Sequence, residues 1–252
     1  MDDNPPIPAA TLIVMRPGTA GPPGILVVER AAAMAFAGGA IVFPGGRVDP
    51  GDALLAEMLG RANDAAKITA IRETIEESAV LAGVRTASGA IDPALGTVLQ
   101  QALIAGAPLG PLLEAHSLLL DLDGLTPFAR WMPAFKQARR FDTLFFLAAA
   151  LPGEWAPHPQ AGECQSARWT SAAEVLDRIA AGTDHAIFPT KRNLERLACF
   201  ATIDEARADA LRYPLDAIVP WIEQRGGEAH VCIPADLGYP CTSEPMTTAI
   251  RA

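Results

Sequence analysis

The chain of 252 residues has little basic charge: 20 lysines and arginines stand against 29 aspartates and glutamates, a formal net charge of −9 at pH 7. Proteins that bind nucleic acid polymers neutralise backbone phosphates with clustered cations, so this balance argues against that class. It does not exclude a small phosphorylated substrate, because a bound divalent cation can reverse the local field.

Long apolar runs and paired cysteines are also missing, and we expect no export signal. The longest strongly apolar run, Leu144 to Leu151, has eight residues, whereas a helix that spans a bilayer needs about 20. The acidic, proline-rich start MDDNPPIP is unlike a signal or transit peptide. The four cysteines share no C-x-x-C spacing, so neither zinc nor redox chemistry is indicated. We therefore expect a cytoplasmic protein with reduced thiols and no membrane partner.

The residues that are present predict an α/β layered fold. Half of them are hydrophobic, which is enough for a sizeable core. Patterns rich in β-branched residues and bounded by turn residues predict strands at 11–15, 25–29, 40–43, 124–132, 141–149, 166–169 and 229–233. Helical patterns cover 64–80, 95–120 with breaks at Pro108 and Pro111, a segment that begins at Ser171, 190–200 and 203–211. Ser171 and Glu174 have the spacing of a capping box.

The helix 64–80 concentrates negative charge on one face. At about 100° per residue, Glu73, Glu76 and Glu77 fall within an arc of roughly 100°, and the isoleucines lie nearly opposite. Carboxylates on a rigid element are suitable ligands for Mg²⁺ or Mn²⁺, which would relieve their mutual repulsion. Taken alone, the spacing favours the alternative, a solvated face on which Arg72 pairs with Glu76.

A glycine-rich loop upstream favours the metal site over the solvated face. The segment FPGG, Phe43 to Gly46, can turn sharply and offer backbone groups to a metal or a phosphate. Loop and helix together resemble the Nudix hydrolase family, whose box is Gly, five residues, Glu, seven residues, then Arg-Glu-U-x-Glu-Glu-x-Gly-U with U aliphatic. Gly46 takes the first position, Asp52 the next acidic position, and RETIEESAV, 72–80, the second half.

The chain departs from this pattern in three residues and one gap. Asp52 is shorter than the usual Glu, Thr74 fills an aliphatic position, and Ala79 replaces the final Gly. The gap holds 19 residues, 53–71, instead of seven, so about twelve are inserted, at about 53–64. A similar interruption marks the Nudix branch that includes the animal peroxisomal coenzyme A diphosphatase. The downstream segments RRFDTLFFLAA, GECQSARWTSAAEVL and FPTKRNLERL also resemble that branch.

The resemblance implies an architecture as well as a motif. It covers roughly residues 8–200, which we expect to form a Nudix hydrolase domain, an α/β/α sandwich with a mixed sheet. A helical insertion at about 95–120 and a C-terminal helical extension, 201–252, would pack on the same domain. For the tail beyond Arg212, a dimer contact and a lid over the site are both open, so a homodimer is one expected partner.

The resemblance also assigns roles to the box residues. Glu76 and Glu77 correspond to ligands of Mg²⁺ or Mn²⁺, and Glu73 to either a third ligand or the base. The Gly45 carbonyl is a candidate backbone ligand, and Arg72 would orient the carboxylates. Two further candidates are Asp52, which would orient Arg72 or the loop, and Glu163, which is either a distant catalytic carboxylate or an exposed loop acid.

The implied reaction is metal-dependent hydrolysis of a nucleoside diphosphate linked to another group. Leu26, Arg30, Ala31, Gly39 and FPGG keep the register of the signature directed at coenzyme A, although Val28 replaces a Thr and Ala35 an Arg. Coenzyme A or acyl-coenzyme A is therefore the leading substrate, and ADP-ribose, NADH or another nucleotide sugar is the alternative. The candidates for substrate contact are Arg30, Gly46, Arg139 and Arg140.

A non-catalytic, nucleotide-sensing Nudix module is a second alternative. Such modules typically lose carboxylates of the box, whereas Arg72 and all three glutamates are present here.

Overall fold

Both strands predicted near the N-terminus are present and extend beyond their expected bounds. The computed structural model describes residues 5–18, 21–34, 37–87, 89–132 and 140–249. Its strands are β1 Ile7–Arg16, β2 Gly24–Arg30, β3 Ile41–Val42, β4 Gly45–Arg47, β5 Val84–Arg85, β6 Leu119–Leu120, β7 Thr126–Trp131, β8 Phe141–Ala149, β9 Cys164–Ser171, β10 Ala217–Ile218, β11 Trp221–Arg225, β12 Glu228–Cys232 and β13 Ser243–Pro245. Its helices are α1 Pro50–Met58, α2 Ala65–Ser78, α3 Ala94–Ile104, α4 Leu109–Ala115, α5 Ala172–Ala180, α6 Phe188–Leu197, α7 Ile203–Ala210 and α8 Met246–Ala249. None of these described helices is both long enough and apolar enough to cross a membrane.

A mixed sheet forms the centre of the structure. Its hydrogen-bonded order is β10-β7-β8-β1-β2-β3, with β4 also paired to β1 and β9 to β2. Strands β1 and β8 run parallel from Ile7 beside Phe141 to Met15 beside Ala149, whereas β7 and β8 are antiparallel, as are β2 and β9. Helices cover both faces, so the predicted α/β sandwich with a mixed sheet is confirmed.

Both faces of β1 are buried because its residues alternate between two hydrophobic cores. Leu12 and Val14 belong to the core that includes residues of α2 and α3. Ile13 and Met15 belong to the core that includes residues of α5 and α6. This period of two is the normal side-chain alternation of a strand, and it fixes α2 against one face of the sheet.

One edge of β1 is shared between two partner strands. The first half of β1 pairs with β4, with Ala10 beside Gly46, and its end pairs with β2 at Met15 and Ile25. Helix α2 packs over β1 and beside β4. The fork in the sheet therefore brings the two glycines of FPGG next to the acidic helix.

The inserted segment after Asp52 is more regular than the sequence indicates. The prediction treats PGGRVDPGD as a turn-rich loop, but α1 begins within it at Pro50. Pro is well suited to the first helical position, and the Asp52 carboxylate accepts a hydrogen bond of 3.1 Å from the Asp49 amide before the helix. The prediction missed this helix because proline and glycine at 50 and 51 are also typical turn residues.

Two details of α2 also differ from the prediction. The carboxylate of Asp64 precedes the helix, but it makes no side-chain cap; it pairs instead with Arg61 at 2.6 Å and Lys67 at 3.1 Å. The helix ends at Ser78 and not at Val80, because Ala79 takes a left-handed conformation with φ of 57°. Ala79 is the position that glycine occupies in the family pattern, and a left-handed residue after a helix is usually glycine.

The C-terminal extension contains more strand than the predicted helical extension. After α7, β10 joins the edge of the main sheet, and β11, β12 and β13 form a second, three-stranded sheet. Of these four strands, only the one near β12 is predicted from the sequence. Gly226 and Gly227 have φ values of 61° and 89°, so they form the tight left-handed turn between β11 and β12 that a Gly-Gly pair favours.

Candidate active site

The three glutamates of α2 lie beside the FPGG segment in a largely buried group. The side chains of Glu73, Glu76 and Glu77 are 15%, 19% and 2% exposed, so they do not form the solvated face considered from the sequence. Arg72 does pair with Glu76, with Nη1 3.1 Å from Oε2, but the same Nη1 lies 3.0 Å from Oε1 of Glu73. One guanidinium therefore balances two of the carboxylates.

Arg72 is held in turn by Asp52 from the first turn of α1. Its Nε and Nη2 each donate a hydrogen bond of 2.9 Å to the two oxygens of the buried Asp52 carboxylate. The Thr69 hydroxyl donates to the same carboxylate at 2.8 Å, and Arg72 also reaches the Arg47 carbonyl at 3.3 Å. Two parallel bonds fix both the position and the plane of a guanidinium, so the shorter acid at position 52 orients Arg72.

Both glycines of the FPGG segment face the glutamates. The Gly45 amide donates a hydrogen bond of 3.0 Å to Oε2 of Glu77. A Cβ atom on Gly46 would overlap the carboxylate of Glu73, and one on Gly45 would lie 2.5 Å from the Ala10 carbonyl oxygen. Glycine is therefore required here for close approach and not for a left-handed backbone.

Burial makes the negative charge of this group costly. It raises the pKa of Glu73 to about 7 and that of Glu77 to about 8, and neighbouring carboxylates add to both shifts. Burial also raises the pKa of Glu76, although Arg72 opposes the change. A buried carboxylate without a full counter-charge favours its neutral form. Arg72 therefore compensates the negative charge of the three glutamates only in part.

The donor set fits a divalent cation. In the described part of the chain, no three acidic, histidine or cysteine side chains already form a metal-ligand cluster. Arg72 lies between Glu73 and Glu76. The chemistry nevertheless matches: three carboxylates and the Gly45 carbonyl are hard oxygen donors. A cation would also compensate the buried charge that raises the glutamate pKa values.

Arg30 approaches this group at Glu77, and Glu163 is tied to the residue that follows Arg30. Nη1 of Arg30 lies 3.8 Å from Oε1 of Glu77, and the arginine side chain is 18% exposed. The Ala31 amide donates to the Glu163 carbonyl at 2.8 Å, which ties the end of β2 to the loop before β9. Glu163 is exposed, and its charge contributes to the raised pKa of both Glu76 and Glu77.

The other predicted substrate contacts are less closely placed. Arg140 immediately precedes β8, where its carbonyl accepts a hydrogen bond of 2.7 Å from the Ile7 amide. Because β8 and β4 pair with opposite edges of β1, β1 separates Arg140 from Gly46. Arg139 and Ala35 lie outside the described residues.

Gln100 is a residue of the site that the sequence analysis missed. Its buried side-chain amide donates hydrogen bonds to the Glu76 carbonyl at 2.9 Å and to the His158 carbonyl at 2.8 Å. A signal was present in the sequence: the buried positions of α3 are 96, 99, 100 and 103, the spacing of a core-facing helix stripe, and one of them is a glutamine. A polar side chain at a core position must find partners, and here the partners belong to the site.

Comparison with known proteins links this geometry to a family. The sequence matches no family model and no curated protein. Among solved structures, a Nudix hydrolase from Alicyclobacillus acidocaldarius is 34% identical, with a TM-score of 0.69, and the match covers 82% of this chain and 97% of that one.

Two other solved structures are more distant. The MutT protein from Methanosarcina mazei Go1 is 12% identical with a TM-score of 0.43, covering 78% of this chain and 96% of that one. The Nudix domain of Shewanella oneidensis NrtR, complexed with ADP-ribose, is 13% identical with a TM-score of 0.39. The match covers 69% of this chain and 78% of that one. Neither resemblance is close enough to inform on the site.

The Nudix hydrolase from Alicyclobacillus acidocaldarius is much more similar to this chain. Its identity, its near-complete coverage of the Alicyclobacillus enzyme and the shared fold agree with the acidic helix, the Gly-Gly segment and the Arg72 ion pairs described above. Nudix hydrolases cleave diphosphate linkages of nucleotides and generally use divalent metal ions. The chain belongs to the Nudix hydrolase family and is a diphosphatase.

Proposed function

We propose that the protein hydrolyses the diphosphate linkage of coenzyme A or an acyl-coenzyme A. The products would be 3′,5′-ADP and a 4′-phosphopantetheine derivative. The oxygen of water would bond to one phosphorus and release a proton to solvent. The bond from that phosphorus to the bridging oxygen would break, and the bridging oxygen would leave with the other phosphate. The diphosphatase chemistry follows from the family, whereas the choice of coenzyme A is the proposal.

The residues of α2 would hold the cation. Glu73, Glu76 and Glu77, with the Gly45 carbonyl, would bind Mg²⁺ or Mn²⁺, which when bound neutralises diphosphate charge and activates water. Arg72 would keep the carboxylates apart and oriented, since Asp52 fixes its plane through two bonds of 2.9 Å. Gly46 would leave the Glu73 carboxylate the space that a Cβ atom would take.

The coenzyme A proposal depends on the position of Arg30. It holds the register of the coenzyme A signature at the end of β2, and its guanidinium lies beside Glu77. Within the described ranges, its buried Nε has no hydrogen-bond partner. A buried donor without a partner is costly, and a phosphate oxygen of the substrate would satisfy it. Arg139 and Arg140 are proposed as further phosphate contacts.

The test is cleavage by the purified protein with Mg²⁺ or Mn²⁺. The substrates would be coenzyme A, an acyl-coenzyme A, ADP-ribose and NADH, with products separated by chromatography. We expect 3′,5′-ADP from coenzyme A or its acyl form. Cleavage confined to ADP-ribose or NADH would keep the diphosphatase and overturn the coenzyme A proposal. No cleavage of any substrate by metal-loaded protein would favour the sensing module.

Two variants connect the activity to the site. Glu76→Gln removes one charged ligand and should abolish turnover of every substrate. Arg30→Gln keeps hydrogen-bonding capacity without the charge, so we expect KM for coenzyme A to rise about tenfold, the loss of one charge-assisted bond of about 1.4 kcal/mol. An unchanged KM in this variant would remove Arg30 from phosphate recognition.

A further inference from the structure

The C-terminal end of α2 is closed by groups from three different segments. The last four carbonyls of a helix have no partner within the helix. Three of these carbonyls accept hydrogen bonds from backbone amides. The Ile75 carbonyl accepts from Ala79 at 2.8 Å, the Glu77 carbonyl from Gln160 at 3.3 Å and the Ser78 carbonyl from His158 at 2.7 Å. The fourth carbonyl, that of Glu76, accepts from the Gln100 side chain at 2.9 Å.

Gln100 also holds the segment that provides two of these donors. The same side-chain amide donates to the His158 carbonyl at 2.8 Å, so it bridges α2 and the 158–160 segment. The side chain is buried, and α3 is anchored by Leu99 and Leu103 in the core that it shares with α2. The bridge therefore starts from a fixed element.

The bridged segment leads directly to Glu163. The Gln160 carbonyl accepts hydrogen bonds from the Glu163 amide at 3.4 Å and the Cys164 amide at 3.0 Å, which closes a turn. The Glu163 carbonyl accepts a hydrogen bond of 2.8 Å from the Ala31 amide, and the preceding Arg30 places its guanidinium 3.8 Å from the Glu77 carboxylate. The exposed Glu163 is therefore tied to the glutamates both through the 158–160 segment and through the end of β2. Its position next to α2 thus depends on backbone bonds at 158 and 160 and on the Gln100 amide.

We propose that Gln100 is a positioning residue for the diphosphatase reaction: from the inserted helix α3 it fixes the 158–163 loop on α2, so that Glu163 joins the glutamates of α2 in holding the cation. This inference rests on the proposed metal-binding role of those glutamates. It gives the helical insertion a part in the site beyond core packing. Gln100 contacts the backbone carbonyls of Glu76 and His158 and no carboxylate, so we assign its effect to the loop that carries Glu163.

The experiment is a double-mutant cycle between Gln100 and Glu163. The variants are Gln100→Leu, Glu163→Gln and the double variant, with Gln101→Leu on the exposed side of α3 as the matched control. Three quantities are measured: Mn²⁺ affinity without substrate, kcat and KM for the cleaved diphosphate, and hydrogen exchange of the His158 and Gln160 amides. Gln100→Asn, which is shorter but polar, serves if the leucine variant does not fold.

We expect Gln100→Leu to weaken Mn²⁺ binding and lower kcat by about 10- to 100-fold, the usual range for residues that orient metal ligands. KM should change little, exchange at 158 and 160 should accelerate, and the control should behave like the wild type. Because Gln100 acts through Glu163, the double variant should lose no more than Glu163→Gln alone.

If the losses of Mn²⁺ affinity and kcat in the two single variants multiply in the double variant, the proposal is overturned. A Gln100→Leu protein that loses thermal stability but keeps wild-type Mn²⁺ affinity and kcat would also overturn it. Loss of Mn²⁺ binding in Glu76→Gln, but not in Glu163→Gln, would overturn it while leaving the proposed function intact. If none of the substrates is cleaved, the Mn²⁺ and exchange measurements still decide the role of Gln100.

Discussion

The carboxylate of Asp52 receives two hydrogen bonds of 2.9 Å from the guanidinium of Arg72, which follows it by 20 positions in the chain. Both groups are largely buried, with exposed side-chain fractions of 3% and 11%. Arg72 in turn contacts Glu73 and Glu76, so a residue of α1 controls the charge balance of the acidic helix.

Removal of the Asp52 carboxylate should destabilise the protein strongly. Asp52→Ala leaves Arg72 buried without its main partner, whereas the Thr69 hydroxyl keeps the Ala65 carbonyl as an acceptor. We expect a loss of about 3 kcal/mol in the free energy of unfolding. Urea unfolding measures it. Asp49→Ala is the comparison, because Asp49 is half exposed and is the N-cap of α1, so its removal should cost only about 1 kcal/mol. Equal effects of the two substitutions would contradict the assigned role of Asp52.

The metal-free protein should become less stable as the pH rises. The pKa of Glu77 is about 8 in the folded protein against 4.5 as its ordinary value, so between these values the folded state binds more protons than the unfolded state. Stability then falls with rising pH across that window and levels off above it. Urea unfolding with a chelator at pH 5, 6.5 and 8.5 should show this decline, and Glu77→Gln should reduce its slope. An identical slope in the variant would contradict the assignment.

Addition of a divalent cation should reverse that loss. A ligand that binds only the folded state raises the free energy of unfolding, by about 2.7 kcal/mol at 100 times its Kd. Because the cation binds ionised carboxylates, the increase in Tm with Mn²⁺ should be larger at pH 8.5 than at pH 5. Glu76→Gln serves as the control and should show a smaller increase. An equal increase in both proteins at pH 8.5 would place the cation elsewhere.

A methyl group on Gly46 should impair the reaction more than the fold. In Gly46→Ala the new Cβ displaces the flexible Glu73 carboxylate and not a backbone atom, so the fold can accommodate it. Misplacement of a catalytic group by about 1 Å can cost on the order of 100-fold, and we expect kcat to fall by about 10- to 100-fold with a small change in Tm. Gly51→Ala is the control, since no atom lies within 4 Å of its Cβ position. Wild-type kcat in Gly46→Ala would show that Glu73 tolerates displacement.

The opposite result is expected for Gly96 in α3. A Cβ atom there would overlap the carbonyl oxygen of Ala79, a backbone atom at the end of α2 that cannot move freely. Gly96→Ala should therefore destabilise the protein by about 1–3 kcal/mol, the usual cost of overpacking. Thermal unfolding checks the prediction, with Gly51→Ala again as the control. A variant with an unchanged Tm would mean that α3 can shift away from α2.

The sequence by itself determined the elements and faces that follow from local spacing. The helical period puts Glu73, Glu76 and Glu77 on one face, and apolar runs mark β1 and β8. The capping box of Ser171 and Glu174 starts α5 as predicted. The resemblance carried by FPGG and RETIEESAV identified the family. The helix face, the strands and the cap depend only on residues that are close together in the sequence, and the resemblance depends on residue types at fixed spacing.

Only the tertiary structure decided which distant residues complete the site. The pairing of β4 with β1 brings Gly45 to Glu77, the start of α1 brings Asp52 to Arg72, and α3 brings Gln100 to the end of α2. Each contact joins residues 20 or more positions apart, and its formation depends on strand register and helix packing across the whole core. Periodicity specifies the face of an element, whereas burial of that face against particular neighbours specifies the partner.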